Sequence, residues 1–370
     1  MANNLDNEVQ LVADEVDGEV TDSEADLESL HSETTSIRDS IREYRLENGR
    51  SYHKYKDGTY FLPNDEVEND RLDMQHEICF LTFHGKLGDA PPCAHDAKVG
   101  RVLDLGTGTG LWAIEYADTH PEAEVSLLYV EISPLTLAVL VDSTMTFIQV
   151  LGMDLSPIQP QDVPPNVRFE VDDIEEEWLY SRSFDYVHSR FINACISDWE
   201  KMIRKAYKSL QPGGWYEIQE AAFPLTSDDG TLTPDMPLGQ FGSLITEAAE
   251  IFGRPFVNIP SLKEVLLKVG FEDVQLNSYK WPTNTWPKDD HYKRIGEWNL
   301  HNFADGVTSM AMAPLTRVHN WTKEEVTVWL IGVRKNLRDK SIHAYVPVYS
   351  LIGRKPLEKT PAPAAASDSP

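Results

Sequence analysis

Residues Val102-Leu103-Asp104-Leu105-Gly106-Thr107-Gly108-Thr109-Gly110 read as a buried strand that ends in a carboxylate and turns through three glycines. The chain then enters a helix at Leu111-Trp112-Ala113-Ile114. Glycine lets a backbone approach a ligand where a Cβ would collide. A helix N-terminus adds unpaired N–H groups and partial positive charge. At the carboxyl end of a parallel sheet, strand, glycine loop and helix together form a nucleotide-type cofactor site. The spacing is D-x-G-x-G-x-G from Asp104. It differs from the G-x-G-x-x-G of dinucleotide enzymes and from the P-loop, which needs G-K-[ST]. A nicotinamide-dependent oxidoreductase is therefore disfavoured, and the Pro212-Gly213-Gly214 turn argues the same way.

Alternating elements from residue 100 onward must position this loop. Strands are predicted over 101–105, 166–171, 184–189, 215–220, 271–279 and 343–352, and helices over 111–120, 199–210 and 260–269. The stretch between the last two strands is mostly helical. Alternation of this kind predicts an α/β, Rossmann-like, doubly wound sheet. Upstream, residues 35–48 read as a short polar helix ended by Asn48-Gly49. Residues 52–65 form an aromatic-rich, irregular segment, and 66–83 a helix capped by Asn64 or Asp65. The domain reading is therefore an acidic tail over 1–34, a helical extension over 35–99, the α/β domain over 100–356, and a tail over 357–370.

The second strand is anomalous. Glu122-Ala123-Glu124-Val125 begins a strand, and Leu151-Gly152-Met153-Asp154-Leu155-Ser156 continues it, but residues 126–150 stand between. That stretch has no Lys, Arg or Gly, and its charges are Glu131 and Asp142. An apolar insertion of this length fits no loop prior. Glu131, Pro134 and Asp142 break the run as a membrane span. The favoured expectation is a retained intron: Val125-Ser126 is encodable with a GT-AGT donor and Gln149 with a CAG acceptor. Excision of residues 125–149 restores Ala-Glu-Val-Leu-Gly-Met-Asp. The alternative is a genuine insertion.

The 370-residue chain carries a net charge of −27. Residues 1–30 bear acids such as Asp6, Asp14, Glu19 and Glu28 and no Lys or Arg, a composition that predicts disorder. The acidic balance of the remainder argues against nucleic-acid binding through a basic face. Cys79, Cys93 and Cys195 lack metal-ligand spacing and fit a reducing compartment. No signal peptide is read at the N-terminus. The expectation is a cytoplasmic or nuclear protein without membrane contact.

The D-x-G-x-G-x-G loop resembles motif I of class I S-adenosylmethionine (SAM) methyltransferases. Gly106, Thr107, Gly108 and Gly110 then form the cofactor loop. Asp104 lies beneath it, either reaching the methionine amine through water or simply organising the turn. The ribose wants a carboxylate about 20 residues beyond the loop. Glu131 stands near that distance in the chain as it is, and Asp154 reaches it once the insertion is discounted; Asp154, followed by Leu155, is favoured because it continues smoothly into the fold. Asp173-Ile174 suits the adenine ring, with the acids around it read as a solvated turn. His188 is the candidate catalytic residue, facing the place where methyl and acceptor meet; the alternative is a structural histidine. Cys195 reads as core. No Pro-Cys pair follows the glycine loop, Pro92-Cys93 standing before it, and no Asn-Pro-Pro-Tyr follows the fourth strand, which argues against cytosine-C5 and adenine or glutamine amino methylation.

A longer resemblance is carried by the glycine loop, Asp154-Leu155-Ser156-Pro157-Ile158-Gln159-Pro160, residues 163–170 and Asp172-Asp173-Ile174-Glu175-Glu176-Glu177-Trp178. It extends through Pro212–Glu217, residues 47–76, Trp281–Lys288 and Ser341–Tyr345. Over residues 45–356 the chain resembles the fungal LaeA-like methyltransferases of secondary metabolism. The resemblance implies seven strands in the order 3-2-1-4-5-7-6 with the last antiparallel. It also implies an N-terminal helical lid over residues 50–83, with Tyr52, Arg71 and His76 as wall residues. SAM is the implied cofactor. The implied acceptor is a small molecule or a protein, and the alternative is a regulator acting with velvet-type partners with little or no turnover. The family pattern lacks residues 125–149.

Overall fold

The computed structural model describes residues 44–53, 61–120 and 149–357. The expectations for the two tails, for the strand start at 122–125 and for Glu131 lie outside these residues. A hairpin opens the described fold: β1 (Tyr44–Glu47) pairs antiparallel with β2 (Arg50–His53). This corrects the helix expected over 35–48 as far as it is described. Asn48 and Gly49 both take positive φ, 53° and 84°. That is the type I′ geometry that joins two strands, so the Asn-Gly pair acts as a hairpin turn instead of a helix stop.

Helix α1 (Glu66–Thr82) follows, with Asp65 accepting from the Glu68 N–H as its N-cap. The main sheet then unfolds in chain order as β3 (Arg101–Leu105), α2 (Leu111–Thr119), β4 (Gln149–Asp154), β5 (Val167–Val171) and β6 (Phe184–Arg190). Next come α3 (Trp199–Ser209), β7 (Leu210–Ala221), α4 (Pro237–Ile251), α5 (Leu262–Val269) and β8 (Glu272–Pro282). Helices α6 (Asp290–Arg317) and α7 (Lys323–Arg338) precede β9 (Tyr345–Arg354). The sheet order is β5-β4-β3-β6-β7-β9-β8, and β9 runs antiparallel to both neighbours. This is the expected 3-2-1-4-5-7-6 arrangement. No helix among the described residues is long and apolar enough to cross a membrane.

Alternate residues of the central strands feed opposite faces. Leu103, Leu151 and Val187 pack with α3 and α5, whereas Val102, Val150 and Tyr186 pack with α2. A strand covered on both faces reads as a continuous apolar run, which is why Val102-Leu103 and Val150-Leu151 carry no alternation. A separate apolar cluster joins α1, α4, α6 and α7 to β8 and β9 above one end of the sheet.

Strand β4 is in register with β3 from its first residue: Gln149 faces Arg101 and Val150 faces Val102. Gly110 begins α2 at φ 85°, and a Cβ there would stand 2.4 Å from the Phe169 ring of β5. Gly110→Ala is therefore expected to cost about 1–3 kcal/mol through backbone strain and this collision. Thermal unfolding of the ligand-free protein checks it; an unchanged midpoint would contradict the packing described.

Candidate active site

The glycine loop is built on Asp104, the penultimate residue of β3. One Asp104 oxygen accepts from the Thr107 hydroxyl at 2.7 Å, and the other pairs with His188 Nδ1 at 2.7 Å. His188 lies in register beside Asp104 on β6. Its ring stacks on Trp112 of α2 with centroids 3.7 Å apart and planes 5° from parallel. The loop is also held from β4, where the Met153 carbonyl accepts from the Gly106 and Thr107 N–H groups. Gly106 has φ 68°, and a Cβ there would stand 2.6 Å from Ile192. Loop and β6 turn thus touch through a space only glycine leaves.

Asp154 ends β4 and faces the loop. Its carboxylate accepts from the Gly108 N–H at 2.9 Å and from the Ser156 N–H at 2.9 Å. Burial pushes its carboxyl up to about 6 despite these two donors. Gln159 donates to the Gly108 and Ser156 carbonyls and fixes the same turn. Asp173 accepts from the Glu175 N–H at 2.8 Å, which shapes the acidic turn after β5.

A cavity opens over the carboxyl ends of these strands. It brings together Gly106, Thr107, Gly108, Asp154, Leu155, Asp173 and Ile174. Asp104, Gly110 and His188 are absent from its walls. The expectation that His188 faces the reacting groups is therefore corrected: the side chain is fully buried beneath the loop, between Asp104 and Trp112. Of the three expected lid residues, Arg71 lines the cavity, where it also pairs with Glu68 and donates to Asn302. Tyr52 lies outside it with its ring against Arg317, and His76 is held between Arg190 and Glu115. Asn69, Leu72 and Gln75 of α1 take the wall positions instead.

Beyond the glycine loop the cavity continues into a chamber walled by Phe223, Phe256, Trp281, Phe303 and Met310. Sequence reasoning named none of these for such a role. Glu220 at the end of β7 was missed as well. It lines the cavity, is fully buried, and accepts from the Ile192 N–H at 2.8 Å. Burial pushes its carboxyl up to about 8. A signal existed: a strand inside an α/β sheet is expected to be apolar, yet this one reads Glu217-Ile218-Gln219-Glu220.

The donor set suits SAM. The carboxylate that ends β4 is of the kind that accepts from a vicinal diol, Leu155 and Ile174 are apolar wall residues, and a glycine loop precedes a helix N-terminus. Sheet order and loop together define a class I SAM-dependent methyltransferase. A family model described as "Methyltransferase domain" matches residues 75–276. The methyltransferase pytC of Aspergillus terreus is 36% identical over 325 residues, covering 88% of this chain and 92% of that protein. The secondary metabolism regulator LAE1 of Cochliobolus heterostrophus is 35% identical, covering 84% and 94%. The secondary metabolism regulator laeA of Aspergillus fumigatus is 32% identical, covering 89% and 81%. The chain belongs to this fungal LaeA-like family of SAM-dependent methyltransferases.

The raised carboxyls have a sign that can be checked. A carboxyl whose folded pKa lies above its unfolded value holds a proton that the unfolded chain releases. Its presence stabilises below the unfolded value, and that stabilisation is lost as pH rises towards the folded one. For Glu220 the window runs from the ordinary 4.5 to about 8. The melting temperature of Glu220→Gln relative to the parent is expected to rise steadily across it. A constant difference between the two proteins would contradict the burial described.

Proposed function

We propose that the cavity binds SAM across the glycine loop and a small, largely apolar acceptor in the aromatic chamber, and that the chain methylates that acceptor. The observation that carries this is continuity: one cavity runs from Gly106 and Gly108 to Phe223, Phe256 and Phe303. In this reading Asp154 accepts from the ribose hydroxyls, and Leu155 and Ile174 flank the adenine, with Asp173 at its amine. Gly106, Thr107 and Gly108 bring backbone to the methionine portion, while Asp104 and Gly110 set the loop's shape. The bound cofactor supplies an activated methyl on a sulfonium with a neutral thioether as leaving group. The chain's own contribution is then chiefly to orient the partners and exclude water. Leu72, Phe61 and Leu62 close the cavity from outside the sheet.

Calorimetry with S-adenosylhomocysteine tests the cofactor half. The parent is expected to bind, and Asp154→Ala to bind at least about tenfold more weakly, about 1.4 kcal/mol. A parent that does not bind overturns the reading. A second reading, a regulator acting through velvet-type protein partners, is favoured by relatives named as secondary metabolism regulators. A stable protein complex formed without methylated product would select it, and the location, nuclear or cytoplasmic, would follow the reading selected.

Residues 125–149 are read as a retained intron. In the spliced chain Glu124 takes the place of Gln149 at the start of β4, opposite Arg101. There the Arg101 guanidinium already donates to the Gln149 side chain at 3.3 Å, so a carboxylate gains an ion pair. Transcript sequence across the segment tests this. A protein lacking residues 125–149 is expected to bind S-adenosylhomocysteine at least as tightly as the full chain. Transcripts that all retain the segment, or loss of binding on deletion, would overturn it.

A further inference from the structure

We propose that Glu220 is the general base of the transfer, receiving the hydroxyl or N–H proton of the acceptor where the cofactor loop meets the aromatic chamber. This rests on the small-acceptor reading above. Glu220 stands next to the last residue of β7, in the cavity wall beside Ala221 and near Phe223. One oxygen is held by the Ile192 N–H, and the Asn193 N–H supports the same carboxyl. The other oxygen, Oε2, is buried and has no hydrogen-bond partner among the described residues. Ile192, the residue that holds Glu220, is also the one packed against Gly106. The carboxyl is thus anchored one residue from the cofactor loop, with an uncommitted, buried oxygen in a residue that lines the cavity.

The surroundings leave this carboxyl free to act. Its shift comes from burial, opposed by the two N–H groups, with no charged side chain contributing. Cys195 and Tyr216 lie close enough to feel its charge, and burial holds both neutral. Tyr349 faces it in register on β9. The cations of the same cavity are committed elsewhere: Arg71 to Glu68, Arg190 to His76 and Arg254 to Glu175. Asp154 is engaged by Gly108 and Ser156. A base whose pKa lies near the working pH is well matched to proton transfer.

In the step, a lone pair on the acceptor oxygen or nitrogen forms a bond to the methyl carbon. The carbon–sulfur bond breaks with its electron pair left on sulfur. The acceptor's proton passes to Glu220 Oε2, which leaves the carboxyl neutral. Glu220→Gln is the informative variant. Its carbonyl oxygen retains the Ile192 N–H, which turns the amide N–H2 towards the cavity, where it donates instead of accepting.

The test uses 2-naphthol and naphthalene as probes on the full chain loaded with S-adenosylhomocysteine, between about pH 6 and about pH 9, below the phenol range. In the parent, 2-naphthol is expected to bind more tightly as pH rises through about 8, while naphthalene is unaffected. In Glu220→Gln the 2-naphthol response is expected to be flat and binding at the upper pH about tenfold weaker. Binding of S-adenosylhomocysteine within about threefold of the parent shows that the variant is folded. The parent's naphthol–naphthalene comparison stands whatever the variant does. Equal behaviour of the two probes, binding of neither by the loaded protein, or an unchanged pH response in folded Glu220→Gln overturns the proposal. Failure of the parent to bind S-adenosylhomocysteine overturns the cofactor reading beneath it, a separate readout.

Discussion

The carboxylate of Asp104 is the constraint on which the site depends. Its two oxygens reach the Thr107 hydroxyl and the His188 ring, so one side chain ties the glycine loop to the neighbouring strand. His188 passes the constraint on by stacking flat on Trp112, and Trp112 Nε1 donates to the Leu87 carbonyl. Loop, β6, α2 and the segment before β3 are thereby fixed against one another. Such a pair is costly to break, because losing either partner leaves a buried polar group without its match. The direction in which α2 offers its N-terminus to the cavity follows from this chain of contacts. The helix itself adds little specification, since its N-cap is Gly110 and no side chain caps it.

This explains what the sequence showed and what it hid. The central strands were legible because strands covered on both faces must be apolar runs, and Arg101–Leu105 begins and ends where the pattern does. The glycine loop was legible because positive φ at Gly106, Gly108 and Gly110 leaves few other residues. Spacing alone pointed to Glu131 while residues 125–149 stand in the chain; Asp154 was favoured because Leu-Gly-Met-Asp-Leu-Ser continues into the fold, and its raised pKa depends on burial that no spacing reveals. The hairpin was misread because Asn-Gly serves both as a helix stop and as a type I′ turn, and the flanking Tyr44–Glu47 is largely exposed, with no apolar alternation to decide. His188 was misplaced because a histidine near a strand end looks the same whether it faces a ligand or a tryptophan three elements away. Its partner Trp112 is distant in sequence, and the stacking is a tertiary fact.

Two glutamates three residues apart on β7 show how environment divides one residue type into two roles. Glu217 receives the Asp89 and Ala90 N–H groups, the Tyr186 and Ser350 hydroxyls and the Gln219 amide. Every lone pair it carries has a donor, and it serves to tie the segment before β3 to the sheet. A Cβ at Gly88 would stand 2.5 Å from its carboxylate, so the segment approaches closely for that purpose. Glu220 points to the opposite face and has fewer donors. A carboxyl saturated with hydrogen bonds is structural material, whereas one that is buried and half-satisfied retains free energy that a ligand can draw on.

The aromatic chamber, the proposed acceptor site, depends on parts of the chain that do not belong to the sheet. Arg50 clamps Asp65 with two guanidinium nitrogens and donates to Ser309, which fastens the hairpin to the start of α1 and to α6. Arg71 joins Glu68 of its own helix to Asn302 of α6. These contacts hold α1 over the cavity, and α6 contributes Phe303 and Met310 to its wall. The cofactor half therefore rests on local rules of strand, glycine and carboxylate, each readable from a few adjacent residues. The acceptor half rests on pairings such as Arg71 with Asn302, whose partners lie more than two hundred positions apart. On the reading proposed above substrate choice is decided in that second half, and a sequence can then announce methyl transfer while leaving the acceptor to be read from packing.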